Sequence, residues 1–558
     1  MQRFEVIADL FCQNGVETCF ALLGDANMHW AGAMHERGVE FIYTRHEHAA
    51  VAAAAAYTRS SGKIGCASVT CGPGLTQIMT ILPIAVRAKI PIAIFAGEAP
   101  LGKPWYNQMI DQAPFVQACG AKYYALHDPD TIVEQINDAF RHANESRTPV
   151  VIGAPFDLQK QIHPEHQNPA LPESTVSESD FPGMSHNEIV VAAEKIAAAS
   201  RPIIIAGLGA VDAGAKDACV ALAEKTGALL ATTLPAKGLF HDQPFCLGVA
   251  GGYSSEKAKT IFSKSDLVIG IGARLASHSF DGGQLTPDAS VVHLDVAPKT
   301  YVQGRHAADL LIKADAKYGT KALTEALNQK MGWRTPEMRQ ATSDALVLPD
   351  DLTAPDGLLH PMAVVKQLAD TIPATCHIVN TSGHCAYYAA QMNKHPQSHY
   401  TVIREFGAIG NGTSYAIGVA TAFPDRQVVL IDGDGSLLMN VQELETIKRH
   451  NLNILIICMN DGAYGSEIHK LRADNAPLAG AVFGRTDFAA LAEGFCISGK
   501  RLTNLAIMRD LFADFQRSSA PTVWDVPISD LIASPVMKKA PAMKTAMKSK
   551  KPVMKSVA

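Results

Sequence analysis

Short unbroken apolar runs, each closed by glycine or an acidic residue, recur along this chain and read as strands buried on both faces. In the first third such runs fall at 16–23, 39–44, 64–70 and 90–95, with an alanine-rich helix predicted over 49–59. The middle carries them at 202–207, 267–272 and 291–296. In the last third Val428-Val429-Leu430-Ile431 runs into Asp432-Gly433-Asp434-Gly435-Ser436, and Ile454-Leu455-Ile456-Ile457-Cys458-Met459 into Asn460-Asp461-Gly462. Strands alternating with helical stretches imply βαβ units. The pattern predicts an α/β protein of three doubly wound parallel-sheet domains, at 1–163, 187–345 and 360–533. The Pro/Ser/Glu-rich stretch 164–184 reads as a linker, as does 346–359. The first and last blocks share size and rhythm, which predicts a duplicated fold without a sequence repeat.

A chain of 558 residues is too long for one core. Its 47% hydrophobic and 18% charged content is that of a globular protein. No run approaches the roughly 18 apolar residues of a membrane helix, and the start lacks the basic and apolar regions of a secretion signal. Eleven cysteines are scattered without a CxxC pair, which fits buried reduced thiols in a cytoplasmic protein. Residues 534–558 differ: they hold seven lysines and no acid, in a chain whose net charge is −5. They read as a solubilising extension or as a cationic arm for an anionic partner. Neither a nucleic-acid nor a membrane partner is expected.

Asp434 and Asp461 each follow a buried-type strand. Two such carboxylates suit a hard divalent cation bridged to a diphosphate, because Mg²⁺ takes few carboxylates and completes its octahedron with phosphate and water. The adjoining glycines allow close backbone approach, and a helix starting near Ser436 offers free N–H groups. Glu47, in Arg45-His46-Glu47-His48, ends another strand region before a run of alanines. It reads either as a ligand-binding carboxylate whose pKa burial would raise, or as an acid favoured at a helix N-terminus. Cys71-Gly72-Pro73-Gly74 forms a tight strand-to-helix turn. Gly207-Leu208-Gly209 and Gly270-Ile271-Gly272 are fragments of a dinucleotide fingerprint, and a close turn is the more economical reading.

Taken together, RHE-x-A, GPG, the central GxG and Gly-Asp-Gly…Asn-Asp resemble the family of thiamine-diphosphate-dependent enzymes that includes acetolactate synthases, pyruvate decarboxylases and 2-hydroxyacyl-CoA lyases. The resemblance spans nearly the whole chain and implies pyrimidine-binding, central and diphosphate-binding domains. It implies that Glu47 hydrogen-bonds N1′ of the aminopyrimidine, and that Gly72 also touches the cofactor. Ile409 in Phe406-Gly407-Ala408-Ile409-Gly410 would be the wedge that bends the cofactor, and the Gly407 carbonyl would accept from its 4′-amino group. Asp434 matches the first Mg²⁺ ligand. Asp461, 27 residues later, takes the place of the usual Asn, and the Ala463 carbonyl would be the third ligand. Gly433, Gly435 and Ser436, with Gly383 and His384 opposite, would bind diphosphate oxygens, flanked by Tyr464 and Gly465. Glu47 and the diphosphate site would come from different subunits, so the resemblance implies a homodimer at least and a homotetramer by family habit.

The reaction is narrowed by departures within the family. Gly24-Asp25-Ala26-Asn27 resembles the GD-x-N of pyruvate decarboxylases, and Glu467 falls where those enzymes place a second active-site glutamate. Asp25 and Glu467 are thus the candidate acid/base pair, both expected to be buried with raised pKa values. The His-His pair of the decarboxylases is missing between Glu98 and Gln112. Gln112 stands there as a candidate catalytic residue, with His384, His46 and His48 as alternative proton carriers. The expected substrate is a 2-oxo acid that is decarboxylated and protonated or ligated to a second carbonyl. The alternatives are a 2-hydroxyacyl-CoA lyase or oxalyl-CoA decarboxylase, with the lysines pairing CoA phosphates, and, more remotely, a non-catalytic cofactor-binding protein. FAD is not expected, because no flavin-contacting stretch is matched.

Overall fold

The computed structural model describes residues 1–103, 105–163, 184–350 and 352–538. All of the predicted linker at 164–184 but Met184, and the lysine tail beyond Lys538, lie outside the described residues. The first sheet contains β1 (Thr18–Ala21), β2 (Glu40–Tyr43), β3 (Gly65–Val69), β4 (Ile92–Glu98), β5 (Lys122–Ala125) and β6 (Val150–Pro155), in the order β2-β1-β3-β4-β6-β5. The middle sheet contains β7 (Pro202–Ala206), β8 (Leu229–Thr232), β9 (Cys246–Val249), β10 (Leu267–Ile271) and β11 (Ser290–Asp295). A small antiparallel ribbon, β12 (Tyr301–Val302) and β13 (Arg305–His306), precedes its last strand, β14 (Leu310–Lys313). The third sheet contains β15 (His377–Asn380), β16 (Tyr400–Val402), β17 (Val428–Gly433), β18 (Ile454–Asn460), β19 (Ser498–Arg501) and β20 (Thr522–Pro527). Within each of the three sheets neighbouring strands pair parallel.

The third sheet runs β16-β15-β17-β18-β20-β19, which is the order of the first sheet counted from its own first strand. The two outer blocks therefore share one topology. The middle sheet, β14-β11-β10-β7-β8-β9, has the order of a dinucleotide-binding fold. Its GxG turns, however, are spent on each other. The Gly209 N–H donates to the Gly272 carbonyl at 2.9 Å, and a side chain at Gly207 would overlap that same carbonyl. These glycines let two loops close against each other at the ends of β7 and β10.

The alanine run also has a packing purpose. The helix Glu47–Ser61 lies against the helix Gly412–Ala422 in one core shared by the first and third sheets. A side chain at Gly418 would overlap the Ala53 carbonyl, so only small residues permit this approach. The helix begins two residues earlier than the apolar pattern alone predicts. His46 caps it, its Nδ1 accepting from the His48 N–H at 3.1 Å, and Gly62 ends it in the left-handed region at φ 76°. Among the described residues no helix is long and apolar enough to cross a membrane.

Candidate active site

At the C-terminal ends of β15, β17 and β18, where open parallel sheets bind ligands, a cleft opens, with about 440 Å³ of empty space including the solvent at its mouth. Twelve of the residues singled out from sequence line it: Gly383, His384, Ile409, Gly433, Asp434, Gly435, Ser436, Asp461, Ala463, Tyr464, Gly465 and Glu467. Gly407 is not among its lining residues, and its N–H bonds the Arg404 carbonyl. The glycines here make room. A Cβ at Gly435 would stand 2.7 Å from the Tyr464 ring, and one at Gly465 would stand 2.5 Å from Oδ2 of Asp461.

Asp434 and Asp461 are both buried. Oδ1 of Asp434 accepts from the Gly435 N–H at 2.9 Å and Oδ2 from the Gly462 N–H at 2.7 Å; Oδ1 of Asp461 accepts from the Ala463 N–H at 3.3 Å. Burial pushes Asp434 up to about 6, while burial and then the charge of Asp434 push Asp461 well above the carboxylate range. Two acids forced together out of water need a proton or a cation between them. Among the described residues no group of three or more His, Cys, Asp or Glu side chains could hold a metal. Such a cation would thus draw its remaining ligands from carbonyl, phosphate or water oxygens, the ligand set of Mg²⁺.

His384 lines the cavity and has a partner behind it. Its Nε2 accepts from the Ser534 N–H at 3.0 Å, and burial, then neighbouring His469, pushes its pKa down to about 3. With Nε2 accepting, the neutral ring carries its proton on Nδ1. Nδ1–H is then the donor that His384 can offer a ligand. His46 and His48 are also engaged structurally, the first as a helix cap and the second through Asn411, 2.5 Å from its Nε2.

The remaining predicted residues belong to the first block, in the loops and helix starts that follow its strands, and none of them lines the cavity. Glu47 is the first residue of its helix, with Oε1 3.5 Å from where a Cβ of Gly74 would stand. Glu47 thus starts a helix, as one of its two readings expected, and faces the Gly72–Gly74 turn. The expectation of burial fails for both members of the acid/base pair. Asp25 is exposed, and Glu467 is 54% exposed at the cavity mouth, paired with Lys470 at 3.2 Å. Each lies at the open end of its sheet and is exposed among the described residues. Gln112 is buried and saturated by hydrogen bonds from Gly72 and to Gly97 and Tyr123.

Three family models match in order: the thiamine pyrophosphate enzyme N-terminal binding domain over residues 1–115, the central domain over 189–326 and the C-terminal binding domain over 381–526. The chain belongs to the thiamine pyrophosphate enzyme family. It is 30% identical over 537 residues to the acetolactate synthase isozyme 2 large subunit of Escherichia coli, covering 93% of this chain and 94% of that one. It is 29% identical to the acetolactate synthase large subunit of Parasynechococcus marenigrum, covering 93% and 86%. A probable acetolactate synthase large subunit of Methanocaldococcus jannaschii is 27% identical, covering 96% and 93%.

For a thiamine pyrophosphate enzyme the residues present fit the cofactor. The cavity combines an acid pair short of a cation with the Nδ1–H of His384 and the glycine-lined approach at Gly435. Sequence reasoning missed Ser382, Cys385, Met459, Ser466 and Ile528, which also line the cavity. It missed Asp432 too, a buried acid that accepts from Thr381 and Gly433 and from the Ser436 hydroxyl, each at 2.8 or 2.9 Å, and that burial raises to about 7. Its signal was available, since Asp432 stands in the same strand-end run as Asp434.

Glu443 was also missed, and it ties the two outer sheets together. Its carboxylate oxygens accept from the Arg45 N–H at 3.1 and 3.2 Å, and burial raises it to about 7. A raised acid favours the folded state fully below the unfolded value near 4.5, and that contribution is lost as pH rises through 7. Glu443→Gln should therefore gain on the parent by about 2 kcal/mol between pH 5 and pH 8. Urea unfolding at the two pH values measures this; an unchanged difference would remove the assignment.

Proposed function

We propose that this protein uses thiamine diphosphate and Mg²⁺ to cleave and form carbon–carbon bonds on a 2-oxo acid, as an acetolactate synthase-like decarboxylase and carboligase. Support comes from full-length similarity to acetolactate synthase large subunits. The observation that carries it is the buried pair Asp434–Asp461 at the ends of adjacent strands, present with Glu47 on the matching sheet. When bound, thiamine diphosphate supplies a carbon nucleophile at C2 and an electron sink for the pair released as CO₂ leaves.

The chain's residues then divide the work. Asp434, Asp461 and the Ala463 carbonyl hold Mg²⁺. Gly383, the Nδ1–H of His384, Gly433, Gly435 and Ser436 receive diphosphate oxygens, beside Tyr464 and Gly465. Ile409 supports the middle of the cofactor, with Gly407 beside it. Glu47 shares a proton with the aminopyrimidine next to the Gly72 turn. Asp25 and Glu467, both near open ends of their sheets, move protons at the reacting carbon. Because Glu47 does not line the cavity of its own chain, a second copy supplies it. A dimer is then the smallest active unit, and pairing across two chains would bury Asp25 and Glu467. A dimer of dimers and a cytoplasmic setting complete the reading, the latter in keeping with cysteines that are free among the described residues.

The test is a panel of 2-oxo acids and 2-hydroxyacyl-CoAs with added thiamine diphosphate and Mg²⁺, following CO₂ and carbonyl products. CO₂ release from a 2-oxo acid, lost when cofactor is withheld, is expected. Turnover confined to the acyl-CoAs would transfer the chain to the lyase reading.

A further inference from the structure

One hydrogen-bonded chain on the first sheet is not explained by cofactor or metal binding. The Gly72 N–H donates to Oε1 of Gln112 at 3.1 Å. Nε2 of Gln112 donates to the Gly97 carbonyl at 3.1 Å and to the Tyr123 hydroxyl oxygen at 2.9 Å. That hydroxyl donates to Oε1 of Glu98, and Oε2 of Glu98 lies 2.5 Å from Nε2 of His127, which is 47% exposed. From the Gly72 N–H through Gln112 and Tyr123 to Glu98 each donor points toward the carboxylate, so each of these three bonds polarises the next, and His127 meets the same carboxylate from the surface side.

The arrangement is built rather than incidental. A side chain at Gly153 on β6 would overlap both the Tyr123 hydroxyl and Oε1 of Glu98, so a glycine keeps that contact open. Burial beside Glu98 pushes the Tyr123 phenol far up, which keeps its donor proton in place. At the other end Gly72 turns in the left-handed region, at φ 58°, packed against the Gln108 carbonyl. The turn has no slack, and it carries Gly74, which faces Oε1 of Glu47.

We propose that Gln112, Tyr123 and Glu98 are positioning residues that fix the Gly72–Gly74 turn against Glu47, anchored at the surface by His127. This rests on the reading of Glu47 as the group that activates the cofactor. It replaces the expectation that Gln112 is catalytic, because every N–H of its amide is already committed.

The experiment follows exchange of the C2 proton of thiamine diphosphate for deuterium in the full-length holoenzyme with Mg²⁺. Tyr123→Phe should slow exchange by about tenfold, less than the roughly 10²-fold cost of a 1 Å misplacement, with cofactor Kd and Tm near parental values. Glu98→Gln keeps an acceptor and should exchange within about threefold of the parent, whereas Glu98→Ala should match Tyr123→Phe. If Tyr123→Phe lowers Tm enough to obscure the result, the surface variant His127→Ala should still slow exchange measurably. Parental exchange in Tyr123→Phe, or equal rates for the two Glu98 variants, would overturn the relay. Parental exchange in Glu47→Gln would instead overturn the reading on which the relay rests.

Discussion

Replacing Glu47 with glutamine is expected to lower kcat by about 10²–10⁴-fold, the range for loss of a proton-transfer group. Cofactor Kd should stay within a few-fold. The two effects separate because Glu47 starts the helix that follows β2 in the first block and does not line the cavity that would hold the diphosphate. Glutamine keeps the shape beside Gly74 and the start of the helix capped by His46. What it removes is a carboxyl group able to share a proton with a ring nitrogen. Steady-state kinetics on the best 2-oxo acid, with cofactor titrated by quenching of protein fluorescence, reads both quantities. Parental kcat in this variant would refute the mechanism.

The second large effect belongs to the acid pair. Asp434→Ala should weaken the joint binding of Mg²⁺ and thiamine diphosphate by more than about 100-fold, beyond the range seen for supporting residues of metal sites. Asp461→Asn keeps an oxygen ligand and should bind within about tenfold of the parent. It should also raise the stability of the cofactor-free protein by about 1 kcal/mol at pH 8. The sign follows from the environment. Asp434 and Asp461 are both raised by burial, so their folded-state contribution is present at acid pH and lost as pH rises through about 6 for Asp434. An amide at 461 relieves that loss; the cation relieves it in the parent. Calorimetric titration and thermal unfolding with and without Mg²⁺ separate the two. Equal weakening by both substitutions would argue against Asp461 as an oxygen ligand.

The fold was legible wherever the chain spells its own period. The runs ending at Asp434 and Asp461 are β17 and β18 because a strand buried on both faces must be continuously apolar. The run at 16–23 overshoots, since β1 is Thr18–Ala21 and the chain then leads outward to exposed Leu23. The glutamate and acid-pair positions were legible because strand ends are where parallel sheets bind ligands. Less visible were features made by residues far apart in sequence. Glu443 meets Arg45, Gly418 meets Ala53, and Gly153 yields to Tyr123 and Glu98. No local pattern distinguishes such a glycine from any other in a helix or a strand. The bond that His384 accepts was hidden for the same reason, because its donor, the Ser534 N–H, lies beyond the last strand.

The central claim is that each active site joins Glu47 of one copy to Asp434 of another. Mixing Glu47→Gln with Asp434→Ala under conditions that let subunits exchange tests this most directly. A mixed dimer carries one intact site and one with both defects, so equal mixing should restore roughly a quarter of parental activity from two inactive proteins. A mixture that stays as inactive as its components, with exchange verified, would contradict the shared site.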